Sequence, residues 1–149
     1  MIERIYWDSS SFLALLQAEH GRVQACTDTL QAAKEGEFLI VTSALTIAEV
    51  LWMRGAPKVT EEKARIVNNF FRRPSIRVVN VDRAIAQRAQ RLVWDNGMRP
   101  KDAIHIATAQ RYDCTILETF DDPLITKGVS VVGIDFREPQ QSNQGSLGL

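Results

Sequence analysis

The sequence predicts an α/β domain of three layers: a central parallel sheet of about five strands, flanked by helices. Two observations carry this expectation. Short apolar, β-prone runs recur along the chain: Ile5-Tyr6-Trp7, Phe38-Leu39-Ile40-Val41, Ile76 to Val81, Cys114 to Leu117 and Val129 to Val132. Helix-patterned segments separate them, the signature of parallel βα units joined by right-handed crossovers. The 149 residues are 45% hydrophobic, enough for the core of one domain.

The elements follow in order. The first strand ends at Asp8, and Ser9-Ser10-Ser11 offers helix caps ahead of Phe12 to Leu16. A second helix spans Arg22 to Lys34 and is closed by Gly36. After the second strand a helix is expected from Ala44 to Arg54, with Leu45, Ala48 and Trp52 on its apolar side, until Gly55-Ala56-Pro57 breaks it. Thr60 caps the next helix, whose first turn carries Glu61 and Glu62 and whose apolar face is Ala64, Val67 and Phe71. Asp82 caps a helix in which Ile85, Ala89 and Leu92 repeat at helical spacing, and Asn96-Gly97 ends it. Pro100 opens a helix to about Tyr112, because proline fits a first turn. Residues 1–137 form the expected domain. The polar tail 138–149 is expected to be disordered.

Composition narrows the function. No apolar run is long enough to span a membrane, and Met1-Ile2-Glu3-Arg4 lacks the layout of a signal peptide. Cys26 and Cys114 stand far apart without a CxxC or Cys/His cluster. A disulfide scaffold or zinc site is therefore not expected, and a cytoplasmic protein with reduced thiols is. Charge is balanced overall but not locally. Residues 54–101 carry twelve Lys/Arg against four Asp/Glu, and each flank carries three against seven. A basic segment of this kind can attract a polyanion, with Arg72, Arg73, Arg99 and Lys101 as candidate phosphate contacts.

In open α/β sheets, ligands bind at the carboxyl ends of the strands. Asp8 follows the first strand and Asp121 the fourth, so topology alone sends both to one rim. Asp102 lies in the first turn of its helix, and Glu49 on the helix after the second strand. Each acid also has a structural reading: helix cap, surface residue, first-turn charge or turn residue. Were the four to converge, they would need cations to offset their repulsion. Mg²⁺ or Mn²⁺ takes such oxygen ligands together with substrate phosphate.

Four segments, in order, resemble the PIN-domain family and, within it, the VapC-like toxin ribonucleases of type II toxin–antitoxin systems. They are Tyr6-Trp7-Asp8-Ser9-Ser10, Thr42 to Leu51 around Glu49, Lys101-Asp102-Ala103-Ile104-His105 to Ala109, and Ile116 to Asp122. The likeness covers about residues 2–136. It implies a PIN-like fold and a Mg²⁺- or Mn²⁺-dependent endoribonuclease, with Asp8, Glu49, Asp102 and Asp121 as catalytic metal ligands. It also implies an RNA substrate, a cognate antitoxin and a homodimer. Ser9 and Thr119 match hydroxyls that orient the carboxylates. Many members carry a further acid where this chain has Pro123. Asp122 is the nearest substitute, and one firmly held ion is the expectation. His105 is expected to be a packed, hydrogen-bonded histidine, and Trp52 and Trp94 core or interface aromatics. Haloacid-dehalogenase-like phosphatases need an acid where Ser10 stands, and receiver domains need a second acid beside Asp8. The competing expectation is a silent PIN-fold module that binds RNA or a protein partner without cutting.

Overall fold

The computed structural model describes residues 2–50, 58–128, 130–131 and 133–142. Five strands form one all-parallel sheet: β1 (Glu3–Trp7), β2 (Phe38–Ser43), β3 (Ile76–Val79), β4 (Ile116–Glu118) and β5 (Asp135–Arg137), in the order β3-β2-β1-β4-β5. The helices are α1 (Ser9–Leu16), α2 (Val23–Lys34), α3 (Ala44–Val50), α4 (Glu61–Phe70), α5 (Arg83–Asn96), α6 (Pro100–Arg111) and α7 (Asp122–Gly128). The expected three-layer fold is present.

β1, β2 and β3 are apolar over most of their length because both faces of the sheet are covered. On one face, Tyr6, Val41, Val79 and Leu117 pack against Ile85 and Ala89 of α5 and Ala103, Ile106 and Ala107 of α6. On the other, Ile5, Trp7, Ile40 and Ile76 meet Phe12 of α1, Cys26 and Leu30 of α2, and Phe70 and Phe71 at the end of α4. Phe12 is the hub there, with its ring centroid 5.0 Å from those of Trp7 and Phe71 and 6.0 Å from that of Phe70. Helix ends obey their local chemistry. Thr60 and Asp82 accept hydrogen bonds from the amides of Lys63 and Ile85, Gly97 closes α5 with φ of 66°, and Pro100 opens α6.

β4 is tied to both neighbours by a buried charge. Glu118 is fully enclosed; its Oε1 accepts from Trp7 Nε1 (2.9 Å) and its Oε2 from Arg137 Nε (3.0 Å). Burial raises its pKa, and the Trp7 and Arg137 bonds oppose the rise.

Several expectations need correction. The fifth strand is Asp135–Arg137, not Val129 to Val132; of that run Ser130 and Val131 lie in a turn and a bend, and Val129 and Val132 fall outside the described residues. The reason is α7, which occupies Asp122–Gly128, beginning within the turn-like Asp121-Asp122-Pro123. The chain must then reverse before it can run parallel to β4. The fourth strand starts at Ile116, not Cys114. On α3 the buried residues are Thr46 and Val50, whereas Ala48 is exposed. Leu51–Arg54, with Trp52, and the break at Gly55-Ala56-Pro57 lie outside the described residues. Trp94 is 64% exposed and belongs to neither core cluster. Beyond Glu138 the described chain has no regular structure, and the amide of Ser142 donates to Asp28. Residues 143–149 of the expected tail lie outside the described ones.

Two outcomes follow from this packing. Phe12→Ala should lower unfolding stability by about 3–5 kcal/mol, read as a lower urea midpoint at unchanged slope; a loss under 1 kcal/mol would show that the aromatic cluster is not central. Burial pushes the thiols of Cys26 and Cys114 up to about 12. Both should stay unreactive towards a disulfide reagent at neutral pH until the protein is unfolded.

Candidate active site

The turn after β1 and the turn after β4 lie side by side at the carboxyl rim. Asp8 has an extended backbone and caps α1, its Oδ1 accepting from the amide of Ser11 at 3.3 Å. The same oxygen accepts from Ser10 Oγ at 2.7 Å, and Oδ2 accepts from Thr119 Oγ1 at 2.5 Å. The two hydroxyls are 3.1 Å apart and reach across the rim. Ser10 Oγ accepts from the amide of Phe120 (2.9 Å), and Thr119 Oγ1 from the amide of Asp121 (3.0 Å). Ser11 Oγ donates to the carbonyl of Glu118 at 2.9 Å. Asp8 is 5% exposed. Burial raises its pKa, against the pull of His105, Thr119, Ser10 and the Ser11 amide.

Asp121 reaches the same rim and caps α7, its Oδ1 accepting from the amide of Leu124 at 3.3 Å. Asp102 is buried in the first turn of α6. Arg99 joins these two acids: its Nε and Nη2 each lie 3.1 Å from Asp102 Oδ2, and Nη2 lies 3.6 Å from Asp121 Oδ2.

Glu49 is held from α6 rather than from its own helix. His105 Nε2 lies 2.8 Å from its Oε1 and Lys101 Nζ 3.3 Å from its Oε2. Burial would raise the pKa of Glu49, but the His105 bond and the Lys101 charge outweigh it and hold it low. The other ring nitrogen of His105 pairs with the Tyr6 hydroxyl at 2.6 Å. That hydroxyl is pushed well above its usual pKa by burial and by Asp8, so it stays protonated. His105 is thus the packed, hydrogen-bonded histidine expected from its position.

The four predicted acids therefore sit on elements that meet at one rim. The hydroxyls that bond Asp8 are those of Thr119 and Ser10. Ser9 instead lines a shallow cleft with Leu13, Ala48, Glu49 and Lys101. Residue 10 turns inward because Asp8 must be the cap, which makes Ser10 the second residue of the first turn. Asp122 is exposed in the first turn of α7. Arg72 and Arg73 precede β3 and stand at the opposite, amino-terminal rim, where Arg73 shares a hollow with Lys34. The four residues of β3 separate the rims by about 13 Å, so of the four basic candidates only Arg99 and Lys101 reach the acids. The bridging role of Arg99 carries no signal in sequence beyond its place before Pro100, and the bond from Tyr6 to His105 carries none beyond Tyr6's place in a β-prone run.

Among the described residues, no three Asp, Glu, His or Cys side chains already enclose a common point as a metal cage. The donor set nonetheless fits a hard divalent cation in kind. It offers carboxylate oxygens on a rim open to solvent, with hydroxyls that fix the central one.

The PIN domain family model matches residues 5–127. No curated protein sequence matches the chain. Solved structures share the fold at low identity. VapC20 of Mycobacterium tuberculosis, a toxin that cleaves the sarcin-ricin loop, is 19% identical, with a TM-score of 0.65, covering 83% of this chain and 95% of its own. A toxin–antitoxin complex from Klebsiella pneumoniae is 21% identical, with a TM-score of 0.66 and coverage of 93% and 99%. DNA-bound VapBC from Salmonella typhimurium is 12% identical, with a TM-score of 0.68 and coverage of 93% and 98%.

The buried Asp8 makes a thermodynamic prediction. Its folded pKa lies above the unfolded value, so its charge costs stability at pH values above the folded pKa. That cost vanishes once the pH falls below the unfolded value, roughly 4. In metal-free buffer, Asp8→Asn should raise unfolding stability at pH 8 by on the order of 1 kcal/mol. The gain should shrink as the pH approaches 4; urea titrations at both pH values check it, and a gain independent of pH would contradict the cause given.

Proposed function

Since the chain belongs to the PIN-domain family, we propose that it is a divalent-metal-dependent endoribonuclease and the toxin of a toxin–antitoxin pair. The observation that carries the reading is the carboxyl rim itself. A buried Asp8 is fixed by Ser10 and Thr119 beside Asp121, while Asp102 and Glu49 are brought in by α6.

Asp8, Asp102, Asp121 and Glu49 would hold Mg²⁺ or Mn²⁺, which would supply charge compensation at the phosphodiester and ease the loss of a proton from the attacking water. The chain's own residues do the positioning. Thr119 and Ser10 occupy both oxygens of Asp8 and leave it one orientation. His105, backed by Tyr6, sets the rotamer of Glu49. Arg99 and Lys101, both largely exposed at the rim, present positive charge to an RNA backbone, the chemistry that gives backbone affinity.

A cognate antitoxin is the proposed protein partner, supported by neighbours that are themselves toxin–antitoxin complexes. A homodimer is proposed on the apolar groove between α5 and α6, where Ala86, Ala89, Val93 and Ile104 surround the exposed Trp94. None of the described helices is long and apolar enough to cross a membrane. The cytoplasm, where RNA and an antitoxin would be met, is the proposed location. A second reading, a module that binds RNA or protein without cutting, draws on the cations that already neutralise Asp102, Asp121 and Glu49.

The experiment is incubation of the full chain with tRNA, rRNA and mRNA in Mg²⁺ or Mn²⁺, with and without EDTA. Cleavage should appear with metal and cease on chelation, and Asp8→Asn should lower it by more than about 100-fold with the fold intact. Binding that survives EDTA, without cleavage in any condition, would favour the second reading. Wild-type rates in Asp8→Asn would remove Asp8 from the chemistry.

A further inference from the structure

We infer that Arg99 takes the place of a second divalent cation between Asp102 and Asp121. This deepens the proposed function and rests on its metal reading. Arg99 occupies the N-cap position of α6 but makes no side-chain cap bond there. Its backbone is extended (φ −69°, ψ 144°), as a residue before proline must be. That geometry sends the guanidinium back over the first turn of α6 and out to the neighbouring turn.

The guanidinium then does what a bridging ion does. It contacts a carboxylate oxygen of α6 at 3.1 Å and one of the β4–α7 turn at 3.6 Å. Asp102 is buried, and an enclosed carboxylate needs a counter-charge. Arg99 supplies it from a side chain 61% exposed, so the cation itself bears little desolvation cost. Lys101 answers Glu49 in the same manner at 3.3 Å.

Charge decides how many ions the rim takes. The four carboxylates carry four negative charges, and Arg99 and Lys101 return two. One divalent ion completes neutrality; a second would leave an excess of positive charge in a half-buried site. Asp122, the acid next to Asp121, is exposed on α7.

The test is Mn²⁺ binding to the full chain without RNA, by calorimetry and by electron paramagnetic resonance, for wild type, Arg99→Ala, Arg99→Gln and Arg99→Lys. Wild type should bind one ion. Arg99→Ala and Arg99→Gln should bind a second, at least about tenfold tighter than any second site in wild type. Arg99→Lys, which keeps the charge, should remain closer to one. Circular dichroism should show all four folded, with the two neutral variants less stable because the buried Asp102 loses its counter-charge. If wild type binds one ion and the neutral variants bind the same number with the same affinity, Arg99 is not a stand-in, while the metal reading survives. Two ions on wild type would also overturn the inference alone. If no variant binds Mn²⁺, the inference and the metal reading fall together.

Discussion

A carboxylate buried at the end of a central strand must be surrounded by donors, and meeting that demand at Asp8 organises the molecule. Asp8 ends the middle strand of the sheet, is almost wholly enclosed, and takes its hydrogen bonds from Ser10, Ser11 and Thr119. Thr119 belongs to the far turn, so satisfying one side chain locks two βα turns together. Ser10 and Thr119 then accept from the amides of Phe120 and Asp121, which aims the second acid. The cost of burying the charge and the geometry of the rim are thus one problem with one solution.

The remaining carboxylates are handled differently. Asp8 is held by neutral donors, whereas Glu49, Asp102 and Asp121 meet cations at the protein's edge. Neutral donors fix direction without cancelling charge. Cationic donors cancel charge but sit on flexible, exposed stems that can move. The rim therefore pairs one rigidly held anion with Asp102 and Asp121, whose shared partner is an exposed arginine, and with Glu49, which the buried His105 fixes on one side and the exposed Lys101 meets on the other.

Much of the architecture was legible in the sequence, for physical reasons that differ by element. Apolar runs marked β1, β2 and β3 because both faces of the sheet are covered. Asp82, Thr60, Gly97 and Pro100 marked helix ends because caps are local chemistry. The end of the chain resisted the same reasoning. α7 opens with Asp121-Asp122-Pro123, which reads equally as a turn, and β5 is an edge strand whose Asp-Phe-Arg sequence lacks an apolar run. Val131 is buried without being a strand residue. At the site, Asp8 and Asp121 were legible from topology, while Glu49 and Asp102 needed the family likeness. The bond from Ser10 to Asp8, the bridging by Arg99 and the distance of Arg72 and Arg73 all depend on which way a helix turns or which rim a loop occupies, and linear spacing does not encode that.

The Glu118 clamp has a mechanical consequence. A three-residue edge strand has few ladder bonds with which to resist peeling. Arg137, however, is the counter-ion of a carboxylate sealed between β1 and β4. Peeling β5 away would take the counter-charge from Glu118, a penalty added to that of the ladder bonds it breaks. Detachment of the edge therefore becomes all-or-none rather than gradual. Glu118 directly precedes Thr119, and the Thr119 amide itself donates to the Arg137 carbonyl at 2.9 Å, so losing the last strand removes two restraints beside the residue that grips Asp8.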